Sequence, residues 1–233
     1  MTNNNCKATR TGGQVLVDAL RINGVERAFC VPGESYLAVL DALHDAKDDI
    51  ELIVCRQEGG AAYMAEAYGK LMGKPGICFV TRGPGATNAS VGVHTAFQDS
   101  TPMILFIGQV ARDQVEREAF QEIDYRRMFG QMAKWVVEVD DAARLPELLS
   151  QAFHRATNGR PGPVVVALPE DMLTDLVDVA DAGPAQSIEP AASPAALEQL
   201  QSLIRHAPRP LVAPGRGGRA GTDHLACGLT GGA

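Results

Sequence analysis

Several apolar runs in this chain are continuous and one strand long, and stretches with helical periodicity lie between them. The clearest are GICFVT (76–81), MILFIG (103–108) and PVVVALP (163–169). A strand with one solvated face alternates apolar and polar residues, so an unbroken run predicts a strand covered on both faces, as in a parallel sheet. RAFCVP (27–32) and IELIVC (50–55) are shorter runs of the same kind. Between the runs lie helical segments. Thr11 and Gln14 have capping-box spacing before a stripe of Val15, Leu16, Ala19 and Leu20, and Asn23-Gly24 stops that helix. Leu37, Leu40 and Leu43 share a face of the next helix. An Ala-rich helix runs from Glu58 to about Met72, another from Pro84 to Phe97, and a third spans 142–158 with Leu145, Leu148, Leu149, Ala152, Phe153 and Ala156 on one stripe. Alternation of this kind predicts an α/β fold, a doubly wound, mostly parallel sheet with helices on both faces.

The character changes at 177–193, VDVADAGPAQSIEPAAS, where Ala, Pro, Asp and Ser occur without a period. The expected organisation is a domain over 1–176, a linker over 177–193, and an incomplete second α/β domain over 194–233. In that second part a helix (194–206) and the start of a strand (210–212) lead into PGRGGRAGTDHLACGLTGGA, which has no apolar period and reads as a truncation or an altered reading frame.

Composition bounds the function classes. A formal net charge of -7 disfavours a nucleic-acid or anionic-membrane surface, so neither partner is expected, and the single RGG-like segment at 215–219 reads as linker. Five cysteines, Cys6, Cys30, Cys55, Cys78 and Cys227, show no C-x-x-C spacing. Cys30, Cys55 and Cys78 end or interrupt apolar runs and read as small buried hydrophobes; the odd count fits a reducing cytoplasm. The polar start MTNNNCKATRTG carries no signal-like apolar core, and no run approaches the ~20 residues of a membrane helix.

Ligands of open parallel sheets bind beyond the carboxyl ends of the strands. That singles out Pro32-Gly33-Glu34, Arg56-Gln57-Glu58-Gly59-Gly60, Thr81-Arg82-Gly83-Pro84-Gly85 and Gly108-Gln109. Glu58 opens a helix and is followed by two glycines and two alanines, where a flat ligand fits against the backbone. By spacing alone the favoured reading is a solvated first-turn acid stabilised by the helix dipole. Gly83-Pro84-Gly85 is a phosphate cradle or a tight turn, without G-x-G-x-x-G or P-loop spacing.

Four segments then agree in order and spacing with one family: CVPGESYLAVLDAL (30–43), RQEGGAAYMAEAYGKLMGKPGICFVTRGPGATN (56–88), HTAFQDSTPMILFIGQV (94–110) and REAFQEIDYRRMFGQMAKW (117–135). Over roughly residues 10–175 the chain resembles the N-terminal, pyrimidine-binding domain of thiamine-diphosphate-dependent enzymes, most of all acetolactate synthase. The resemblance implies that Glu58, the glutamate of the "EGGAA" motif, bonds N1′ of the cofactor's aminopyrimidine and so favours the tautomer that activates the thiazolium ring. It implies that Pro32, Gly33, Pro84 and Asn88 line the cofactor pocket, that Phe120 and Gln121 of "AFQE" contribute to the catalytic pocket, and that Lys134 stands near the substrate entrance. No metal ligand is expected on this chain: in relatives Mg²⁺ and the diphosphate are held by a separate domain marked by Gly-Asp-Gly, which this sequence lacks. Alone, the chain is expected to hold half a site and to be inactive. FAD occurs in the central domain of some relatives. The implied reaction decarboxylates a 2-oxo acid such as pyruvate and transfers the activated aldehyde carbon, in branched-chain amino acid biosynthesis, within a homo-oligomer or beside a partner carrying the diphosphate domain. The alternatives are a decarboxylase or oxalyl-CoA lyase on the same scaffold, and a non-catalytic fragment or assembly partner.

Overall fold

In the computed structural model residues 9–188, 191–209 and 211 are described. The chain divides into two units, 1–186 and 187–233. The second is represented by one helix, α7 (Pro194–His206), started by Ser193, whose hydroxyl accepts from the Ala196 N–H. Cys6, Cys227, the expected strand start at 210–212 and the tail with its RGG-like segment lie outside the described residues, apart from Leu211.

The first unit is built around the apolar runs. After a two-residue strand β1 (Arg10–Thr11), α1 (Gly12–Ile22) opens with the expected capping box between Thr11 and Gln14. Then follow β2 (Arg27–Cys30), α2 (Leu37–Asp45), β3 (Glu51–Val54), α3 (Glu58–Met72), β4 (Gly76–Thr81), α4 (Arg82–Asp99), β5 (Met103–Gln109), α5 (Tyr125–Phe129), β6 (Trp135–Glu138), α6 (Leu145–Thr157), β7 (Pro163–Pro169) and β8 (Leu176–Val177). Six strands form one parallel sheet in the order β3-β2-β4-β5-β7-β6, while β1 and β8 make a separate antiparallel pair. The α/β expectation therefore holds. β5 and β7 are buried at every position, as unbroken apolar runs require. The sheet edge is different: β3 leaves Val54 62% exposed, although its sequence reads like a covered strand.

Side chains alternate between the two faces. Ile77, Phe79, Ile104, Phe106, Val164 and Val166 pack with α1, α2 and α6; Cys78, Val80, Leu105, Ile107 and Val165 pack with α3, α4 and α5. The helix after β2 turns differently from the expected leucine stripe. A short 3₁₀ turn over 34–36 rotates α2 so that Val39, Ala42 and Leu43 are buried and Leu37 is exposed. Residues 177–186, read in the sequence as the start of a linker, are instead laid along this unit. Arg10 donates to the Val179 carbonyl at 3.0 Å and pairs with Asp181 at 2.7 Å, and the Ala185 N–H donates to Asn23 Oδ1 at 3.0 Å.

The strand order reverses between β2 and β4, because the chain passes outward to β3 and returns. It reverses again between β5 and β7 around β6. Two crevices thus open at the carboxyl edge of the sheet, where such folds bind ligands.

Candidate pyrimidine-binding site

At the first crevice the loop after β2 lies directly on the ends of β4 and β5. Ser35 is fully buried, and its hydroxyl is 2.7 Å from Thr81 Oγ1. The approach is close enough that a Cβ on Gly33 would fall 2.3 Å from Thr81 Cβ, which explains glycine there. Tyr36 locks the loop by donating to the Val31 carbonyl at 2.5 Å. Burial, then the neighbouring thiols and Glu58, push its pKa up, so the hydroxyl remains a donor.

Glu58 is the first residue of α3. Gln57 caps the helix, its side-chain oxygen accepting from the Gly60 N–H at 2.9 Å. The half-buried carboxylate accepts through Oε2 from Asn88 Nδ2 of α4 at 2.9 Å. Oε1 faces the first turn of α4, 3.6 Å from where a Cβ on Gly85 would stand. The EGGAA and GPGATN segments, 30 residues apart between Glu58 and Asn88, therefore meet at one carboxylate. They can meet because α3 and α4 touch through small residues: a Cβ on Gly92 would lie 2.6 Å from Ala62 Cβ.

Pro32, Pro84 and Asn88 are solvent-exposed, and Gly33 is half-buried against the Thr81 side chain. Phe120, 74% exposed, and Gln121 sit on the loop between β5 and α5. That loop reaches the site through Gln121, whose carbonyl accepts from the Gly83 N–H at 2.9 Å. The start of α4 thus meets Glu58 through Asn88 and the loop carrying Phe120 and Gln121 through the Gly83 N–H.

Lys134 is not brought to this group. It precedes β6, so it lies at the amino edge of the sheet, opposite the crevices. Its ammonium donates to the carbonyls of Asn158, at 2.8 Å, and Arg155, closing the end of α6. Burial, then the Arg155 guanidinium, lowers its pKa. Arg82 and Gln109, which lie in strand-end loops singled out by the sequence but given no role there, form a polar layer at the second crevice with Glu170, which the sequence did not single out. Their positions at strand ends were the available signal.

An ionisable carboxylate beside glycines and exposed prolines fits a flat heteroaromatic base with a ring nitrogen able to carry a proton. Among the described residues no group of three or more His, Cys, Asp or Glu side chains could hold a metal ion, and no helix is long and apolar enough to cross a membrane.

Comparison with known proteins agrees with this geometry. The chain is 38% identical to the acetolactate synthase large subunit of Parasynechococcus marenigrum, covering 94% of this chain and 37% of that protein. It is 37% identical to the mitochondrial acetolactate synthase catalytic subunit of Aspergillus candidus, over 89% of this chain and 32% of that one. To the isozyme 2 large subunit of Escherichia coli it is 36% identical, over 88% and 37%. The chain thus spans about a third of the length of these relatives. Residues 10–128, just over half of the chain, match the family described as "Thiamine pyrophosphate enzyme, N-terminal TPP binding domain", and the chain belongs to that family.

Proposed function

We propose that this chain supplies the pyrimidine half of a thiamine-diphosphate site in an enzyme that decarboxylates a 2-oxo acid, pyruvate first, and passes the resulting two-carbon unit to a second carbonyl. The observation that carries the reading is the Glu58–Asn88 contact, which joins two distant motifs at the switch point of the sheet. Thiamine diphosphate, when bound, supplies a nucleophilic thiazolium carbon that also serves as an electron sink.

The chain's own residues act around it. Glu58 holds and returns a proton at N1′ of the pyrimidine. Asn88 fixes the carboxylate's orientation through Oε2 and leaves Oε1 for the ligand. Gly85 leaves room for a ring beside that oxygen, and Pro32, Gly33 and Pro84 shape the pocket walls. Gln121 and Phe120, on the loop that meets the Gly83 N–H, face the reacting acid. The names of the relatives support acetolactate synthase over a simple decarboxylase. Mg²⁺, bound with the diphosphate on another domain, FAD and a homo-oligomeric or two-chain assembly complete this proposal, as does a cytoplasmic setting suited to the free thiols of Cys30, Cys55 and Cys78.

The test is calorimetric titration of thiamine diphosphate and Mg²⁺ into the chain, with and without a diphosphate-binding domain taken from a relative. Binding in the mixture that Glu58→Gln abolishes, with pyruvate turnover lost in parallel, is expected. A folded chain that binds in neither setting would exclude the reading.

A further inference from the structure

Among the described residues five non-glycines have positive φ, and four of them fall on two segments that touch: Arg82 (30°), Glu116 (61°), Glu118 (53°) and Gln121 (66°). The contact is the Gly83–Gln121 hydrogen bond. It is tight enough that a Cβ on Gly83 would stand 2.8 Å from the Gln121 carbonyl oxygen and 2.9 Å from Ile123 Cδ1. Backbone in these regions is costly and persists only where its surroundings force it, and such positions gather at functional sites.

Arg82 carries two costs more. It is the first residue of α4, where a positive charge opposes the helix dipole. Its side chain is only 14% exposed, and its Nε is buried without an acceptor. One ion pair holds it, from Nη2 to Glu170 Oε2 at 2.5 Å.

The pair has a definite route to the loop. Glu170 follows β7, and its N–H donates to the Gln109 carbonyl at 3.2 Å. Gln109, 3% exposed, donates from Nε2 to the Ile123 carbonyl at 3.0 Å and accepts the Val110 N–H at 3.0 Å. The polar layer thus crosses the ends of β4, β7 and β5 and returns to the loop two residues from Gln121. On its other side the same first stretch of α4 presents Gly85 and Asn88 to Glu58.

We infer that Arg82 and Glu170 are positioning residues: their ion pair fixes the 116–123 loop, with Phe120 and Gln121, against the helix that orients Glu58, and so sets the substrate-facing rim of the pocket without touching ligand. What the loop does for substrate rests on the function proposed above; that the pair orders the loop does not.

Hydrogen exchange on the full chain separates the two. In Glu170→Gln, which keeps the shape of the side chain, the Gly83 amide and the amides of 116–123 should exchange at least tenfold faster, while those of α1 and β5 keep their protection. Limited trypsin cleavage at Arg117 should accelerate with them. Arg82→Met should reproduce the pattern; if it fails to fold, the Gln variant decides alone. In the complex with a diphosphate domain, Glu170→Gln should raise the KM for the 2-oxo acid more than it lowers kcat. Unchanged loop exchange, or acceleration spread evenly through the domain, would overturn the inference. A wild-type chain that binds no thiamine diphosphate would instead remove the function reading, leaving the exchange result to judge the ion pair.

Discussion

On one face of the sheet, α1, α2 and α6 meet the strands through Val15, Leu16, Leu20, Leu43, Leu145, Leu149 and Phe153. On the other, α3 and α4 meet them largely through Ala61, Ala62, Ala65, Ala86, Ala89 and Ala96. Both faces are equally well buried, but they are made of different things. Large aliphatic side chains contribute roughly 1.5–3 kcal/mol each when fully buried, so the first face supplies most of the hydrophobic stability. Alanine and glycine contribute little area. What they allow is close approach of backbones, and through it the meeting of Glu58 with Asn88. The molecule separates the face that supplies most of its apolar burial from the face whose small residues bring Glu58 to Asn88, one on each side of a single sheet.

The largest expected effect breaks the aliphatic face. Leu149 is fully buried in the middle of α6. Leu149→Ala should cost about 2–5 kcal/mol through lost transfer free energy and the cavity left behind. Urea unfolding would read this as a lower midpoint with an unchanged slope. The protein that remains folded should bind thiamine diphosphate with the wild-type affinity, because nothing on that face touches the carboxylate. A parallel loss of affinity would show that the two faces are not separable.

The sequence displayed this division unevenly. β4 and β7 and the helices α3 and α7 have the bounds their runs suggest, because burial on both sides of a strand, or a capped amphipathic stripe, leaves a local pattern. β3 has the same pattern without the burial; only its place at the sheet edge, a property of topology, distinguishes it. β6 and α5 are short, and β1 pairs with β8 across more than 160 residues through two residues each, so no local window contains the signal. In the site, Glu58 was legible as a helix-opening acid; the resemblance assigned it and Asn88 separately to one pocket, and their hydrogen bond appears only in the fold. Lys134 matched a motif yet caps carbonyls at the far edge of the sheet. The left-handed backbone at Arg82 leaves no trace in the residue type, since arginine is not chosen for that conformation.

A smaller effect should follow from a single methyl group on the alanine face. A Cβ on Gly92 would meet Ala62 Cβ at 2.6 Å and the Ala62 carbonyl carbon at 2.8 Å, so one helix must move. Overpacking of this kind costs about 1–3 kcal/mol. Asn88 lies one turn earlier on α4, so the shift should lengthen the 2.9 Å bond to Glu58. Gly92→Ala should therefore weaken thiamine diphosphate binding out of proportion to its loss of stability, the reverse of Leu149→Ala. Calorimetric binding set beside urea midpoints for the two variants would show whether that reversal exists.

The smallest effect concerns the two buried thiols, one on each face: Cys30 among the aliphatic side chains and Cys78 among the alanines. Burial, then the nearby Cys55, pushes Cys30 from an ordinary 9.0 up to about 11. Burial, then the neighbouring thiols and Glu58, also raises Cys78. A thiol whose pKa is higher in the folded state binds more protons there than in the unfolded chain, so its contribution to stability is intact below pH 9 and declines as pH rises toward 11. For Cys30 the loss at pH 10 should be about 1.4 kcal/mol, one pH unit above the unfolded value. Urea midpoints measured from pH 8 to 11 should fall, and Cys30→Ala should flatten part of that slope whatever it does to the midpoint at pH 8. Because burial, not the ligand site, is the leading cause on both faces, Cys78→Ala should flatten the slope as well. A flattening seen with only one of the two would mean that the faces differ in how completely they exclude water as well as in what fills them.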